Sequence, residues 1–112
     1  MALANQDKLK VLAELAATVA ARKTAGADTS YTASLLAGGT EKCAKKFGEE
    51  AVELLLAAAS GDKPHSAAEA ADVLYHLMVL LEAADVPLDD VLDTLAGRQG
   101  ISGHDEKASR SS

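Results

Sequence analysis

Apolar positions recur every three or four residues along most of this chain, the period of a helix with one buried face. Leu9, Leu12, Leu15, Ala16 and Val19 define such a face over residues 5–23, and Asn5 or Asp7 is available to cap its start. "TAGADTS" (24–30) interrupts the pattern and reads as a linker, with Gly26 and Asp28 as turn formers. "SYTASLLAGG" then predicts a short helix opened by Ser30 and stopped by Gly38 and Gly39. Thr40 stands in a capping position for a helix from about Glu41 to Ala59, with Gly61 past its end. Beyond "GDKPHS" the pattern predicts a helix over 67–84. Its stretch from Val73 to Leu81 is apolar nearly all round, broken only by His76, as suits the middle of a bundle. Pro87 suits a helix start, and "LDDVLDTLAGR" predicts a last short helix. No segment alternates as a strand would, and no internal repeat is visible.

The expected fold is therefore all-α, a helical bundle of about four to five helices. Residues 1–100 form a single domain, and the polar 101–112 form a tail that is mobile or ordered only by a partner. Composition agrees: 48% of the residues are apolar but only 3% aromatic, with alanine and leucine prominent, a mix that suits close-packed helices better than a sandwich of strands. Alanine-rich helices bury little area each, so a partner subunit is expected. The net charge of −6 argues against a nucleic-acid backbone as partner, although it leaves room for a small phosphorylated substrate with a cation. A single cysteine, Cys43, permits no internal disulfide and suits a reducing compartment; it reads as a small buried hydrophobe. No apolar run reaches membrane-spanning length and the N-terminus lacks a signal-peptide layout, so the expected location is cytoplasmic.

One stretch resists this picture of ordinary helices. "KKFGEEAVELLLAA" crowds Glu49, Glu50 and Glu53 near one helix face, where like charges a turn apart repel. Glu69 and Asp72 repeat the three-residue spacing on the next helix. If the two helices form an antiparallel hairpin, Glu53 and Glu69 stand eight residues to either side of Gly61 and can face each other. Helix axes about 8–10 Å apart would let such carboxylates share a hard cation. All-oxygen donors suit Mg²⁺ or Mn²⁺, whereas zinc would call for a His or Cys cluster. Two bland alternatives stand beside this. Ser66 and Glu69 match a capping box, which would occupy Glu69, and the three glutamates could be a solvated face.

The combination "SYTASLLAGGTEKCAKKFGEEAVELLLAAASGD", "EAADVLYHLMVLL" and "VLDTLAGRQGISGHDEKASR" closely resembles the phosphoribosyl-ATP pyrophosphohydrolases, over roughly residues 8–110. These belong to the all-α nucleoside triphosphate pyrophosphohydrolases, marked by E-E-x-x-E on one helix and E-x-x-D on the next. The resemblance implies a homodimeric bundle that binds Mg²⁺ and hydrolyses 1-(5-phosphoribosyl)-ATP to 1-(5-phosphoribosyl)-AMP and pyrophosphate. It implies Glu50, Glu53, Glu69 and Asp72 as metal ligands, and Glu49 as an acid that activates water or supports the ligands. On chemical grounds Glu49 or Glu53, where not committed to metal, can take the water's proton. Lys42 and Lys46 match basic positions that would meet phosphate oxygens. Phe47 replaces a smaller aliphatic, a change of packing rather than of chemistry.

Other residues carry weaker expectations. His76 reads as a core residue rather than a catalytic one, and Tyr75 as packing with its hydroxyl bonded. Ser30, Tyr31 and Thr32 either line the substrate's approach or cap the short helix. Arg98, Lys107 and Arg110 could reach a ribosyl phosphate. Two rival functions stay open: a house-cleaning pyrophosphohydrolase acting on free nucleoside triphosphates, and a non-catalytic helical dimerisation module with solvated acids.

Overall fold

The computed structural model describes residues 2–28 and 30–99, with side chains from Asp7 onward. Among these residues the chain forms five helices and no strand: α1 (Ala2–Arg22), α2 (Tyr31–Ala37), α3 (Thr40–Ala59), α4 (Lys63–Ala83) and α5 (Leu88–Arg98). The expected tail over 101–112, with Lys107 and Arg110, lies outside the described residues.

Local chemistry accounts for most of the boundaries. Ser30 caps α2 as expected, its Oγ accepting a hydrogen bond from the Ala33 N–H at 3.0 Å. Gly61, at φ +80°, takes the left-handed position just past α3, where a side chain would be strained. Three expectations about helix starts need correction. Neither Asn5 nor Asp7 caps α1, because the helix-favouring Ala2, Leu3 and Ala4 carry it further upstream; Asp7 lies within it and pairs with Lys10 at 3.3 Å. Gly39, at φ +90°, occupies the cap position of α3. Thr40 is the first helical residue, and its hydroxyl donates instead to the carbonyl of Ala83 at 3.1 Å.

The third correction bears on function. Helix α4 starts at Lys63 rather than 67, because Asp62 caps it: Asp62 Oδ1 accepts from the His65 N–H at 3.1 Å. Pro64 fits the first turn, where its missing N–H costs nothing. Ser66 therefore lies inside the helix, its hydroxyl donating to the Asp62 carbonyl at 2.7 Å, and no capping box with Glu69 forms.

Helices α3 and α4 form an antiparallel hairpin, the most extensive pairing in the molecule. The Gly61 turn closes it at one end, and the Thr40–Ala83 hydrogen bond ties it at the other. Helices α1 and α2 pack across α4. The core is small: Val19, Leu35, Cys43, Met78 and Val79, joined by flanking side chains such as Leu15, Tyr75 and Leu88. Cys43 is buried as expected, and its thiol donates to the Leu35 carbonyl at 3.2 Å. At the far end Lys23 Nζ meets Asp85 Oδ1 at 2.8 Å, an exposed pair of small net worth. Among the described residues no helix is long and apolar enough to cross a membrane.

A candidate metal centre on the α3–α4 hairpin

The hairpin register brings the two acid-bearing helices face to face. Glu50 and Asp72 lie eleven residues to either side of Gly61, as Glu53 and Glu69 lie eight. Carboxylate oxygens of Glu50, Glu69 and Asp72 converge to within 4.8 Å of one another. Glu50 and Glu69 are largely buried, their side chains only 14% and 12% exposed, whereas Asp72 is open to solvent. Three carboxylates this close repel, and burial raises the cost.

Two cationic or polar neighbours offset part of that repulsion. Lys46, one turn before Glu50, brings Nζ within 3.8 Å of Glu50 Oε1. His65, one turn before Glu69, holds Nε2 3.1 Å from Glu69 Oε1. Glu69 Oε2 is buried and has no hydrogen-bond partner among the described residues. An orphaned carboxylate oxygen among converging acids is free to accept a ligand, and the chemistry of this all-oxygen set suits a hard divalent ion of the Mg²⁺ or Mn²⁺ class.

The remaining expected residues lie outside this converging set. Glu53 lies outside the converging set and lines a groove of about 410 Å³ with Leu56, Ala57, Ser60, His65 and Glu69. Glu49 is exposed, one turn before Glu53 on α3. Lys42 is exposed a turn before Lys46 and packs its stem over Gly38, where an added Cβ would fall 2.2 Å from Lys42 Cδ. Arg98 closes α5 and is exposed.

An aromatic cluster flanks the acids. The His76 ring is buried and stands edge-on to Tyr75 at 4.9 Å and to Tyr31 at 6.3 Å between centroids. Desolvation pushes its imidazole below the ordinary histidine value; the charges of Glu50 and Asp72 oppose that, and Lys46 adds to it. His76 is thus the core residue that its apolar setting suggests. The Tyr75 hydroxyl shares a hydrogen bond with Thr32, while Tyr31 stays exposed. Patterning did not single out His65. Its four-residue spacing from Glu69 is the available signal, but a helix start at 67 would place it in a loop.

Comparison with known proteins bears directly on this arrangement. The family model described as Phosphoribosyl-ATP pyrophosphohydrolase matches residues 12–99, which include Glu49, Glu50, Glu53, Glu69 and Asp72. The chain is similar to proteins named phosphoribosyl-ATP pyrophosphatase in several bacteria. That of Dinoroseobacter shibae is 61% identical over 102 residues, covering 91% of this chain and 100% of the relative. That of Ruegeria pomeroyi is 58% identical over 102 residues, covering 91% and 97%. That of Paracoccus denitrificans is 59% identical over 99 residues, covering 88% and 92%. With likeness running through α3, α4 and the turn that sets their register, the chain belongs to the phosphoribosyl-ATP pyrophosphohydrolase family.

Proposed function

We propose that this protein hydrolyses 1-(5-phosphoribosyl)-ATP to 1-(5-phosphoribosyl)-AMP and pyrophosphate, the second step of histidine biosynthesis. The observation that carries the reading is a converging acid triad with an orphaned oxygen, in a chain of this family. Glu50, Glu69 and Asp72 would hold Mg²⁺ or Mn²⁺, with Glu53 the fourth candidate ligand. A cation bound there would offset the triphosphate's charge and polarise its phosphoryl oxygens.

The chain's own residues do the rest. Glu53 and Glu49 keep carboxylates outside the converging set, so either can accept the proton of an attacking water. Water oxygen bonds to phosphorus, the phosphoanhydride P–O bond breaks, and pyrophosphate departs. Glu53 is the better placed, since it shares the groove with Glu69. Lys46 already faces the acids and can turn its ammonium to a phosphate oxygen, and Lys42 supplies a second charge one turn earlier.

The same reading makes the enzyme a cytoplasmic homodimer. Support comes from the face of α3 that Val52, Leu55 and Leu56 leave more than half exposed, and from the thin core. The test is pyrophosphate release from phosphoribosyl-ATP, ATP and dUTP at equal concentration, with and without Mg²⁺. Metal-dependent turnover of phosphoribosyl-ATP alone is expected. Turnover of the free nucleotides in its place would overturn the substrate, and no turnover of any would overturn the activity.

A further inference from the structure

His65 sits in the first turn of α4, between two acids. Its backbone N–H donates to Asp62 Oδ1 at 3.1 Å, and ring Nδ1 lies 4.0 Å from Asp62 Oδ2. On the opposite side of the ring, Nε2 lies 3.1 Å from Glu69 Oε1. A surface pair at this spacing normally contributes little. This one differs in what it touches: the histidine side chain is 56% exposed, but Glu69 is only 12% exposed and belongs to the converging triad.

The bond divides the two oxygens of Glu69. Oε1 is engaged by the imidazole, and Oε2 is buried without a partner. Glutamate has three side-chain torsions, and fixing a flexible side chain costs rotamer entropy. A glutamate already tied through one oxygen has given up part of that freedom before any ligand arrives.

We propose that His65 is a positioning residue for Glu69. With its proton on Nε2, it holds Oε1 and leaves Oε2 as the one Glu69 oxygen offered to a divalent cation. The proposal rests on the metal reading of Glu50, Glu69 and Asp72. Because His65 is exposed and the cap of α4 uses its backbone rather than its ring, its side chain can be changed without unmaking the helix.

The test is a titration of Mn²⁺ alone, followed by electron paramagnetic resonance, into the wild-type protein, His65→Leu and His65→Gln. Far-UV circular dichroism of each metal-free protein accompanies it. His65→Leu should weaken Mn²⁺ binding about 10-fold or more, the size typical of a lost partner behind a metal ligand. His65→Gln keeps a side-chain N–H one turn from Glu69 and should restore most of the affinity. Equal affinity for His65→Leu and wild type would overturn the proposal, as would His65→Gln binding as weakly as His65→Leu. So would a loss of affinity accompanied by loss of helix in the metal-free variant. Failure of the metal reading is read separately, since the wild-type protein would then bind no Mn²⁺ at all.

Discussion

Convergence, more than charge, separates the five signature acids. Glu50 and Glu69 are held largely out of solvent and their oxygens converge with those of Asp72, while Glu49 and Glu53 remain exposed. The two groups should fail differently. Glu50→Gln should abolish Mn²⁺ binding and turnover together, a loss of about 100-fold or more. Glu53→Gln should retain Mn²⁺ while losing turnover; equal metal loss in both variants, measured by the same titration, would make Glu53 a ligand instead. Cys43 supports a prediction of another kind. Burial raises its thiol above the ordinary value of 9.0, so the folded chain keeps this proton where the unfolded chain has lost it. Its contribution is therefore whole below the unfolded value and declines as pH rises through 9 toward the folded value. The difference in urea midpoint between wild type and Cys43→Ala should shrink as pH is raised from about 8 to 10. Acid types and spacings were legible in the sequence, but their division into converging and outlying groups was not, since convergence depends on what α4 presents to α3.

At the scale of the element, two glycines of the hairpin should respond in opposite directions. Gly61 holds φ +80° in the turn, and a Cβ there meets open space, so strain of the backbone alone decides the outcome. Gly61→Ala should cost about 1–2 kcal/mol. Gly48 lies within α3, also with open space around a Cβ, and Gly48→Ala should stabilise by about 0.5–1 kcal/mol. Urea unfolding of both variants checks the contrast. The helices were readable because period, caps and glycines agree locally. The start of α4 differs from the expected 67 because Asp62 and Pro64 satisfy the N-terminus one turn before the apolar pattern begins. The first four residues of α4, His65 among them, precede that pattern.

At the scale of the whole molecule, the balance between core and exposed apolar surface is the informative quantity. Few side chains are fully buried, while Leu55 and Leu56 are each 67% exposed and Leu95 is 54% exposed. Covering such side chains contributes about 1.5–3 kcal/mol each, which a second copy of the chain could supply. Leu55→Lys should convert a homodimer into monomers in sedimentation and lower the thermal midpoint, which in the wild type should rise with protein concentration. A wild-type protein that sediments as single chains would remove the homodimer.

The sequence by itself determined the all-α class, the approximate extent of each helix, the kinship and the set of acids from which a cation site would be drawn. All of these depend on residue type and local spacing, which the linear order carries in full. Tertiary structure decided which carboxylates meet. The α3–α4 register sets Glu50 against Asp72 and leaves Glu53 in the groove, and the earlier start of α4 brings His65 onto Glu69. Convergence of atoms from two helices is a property of their packing, and a three- or four-residue spacing constrains only one helix at a time.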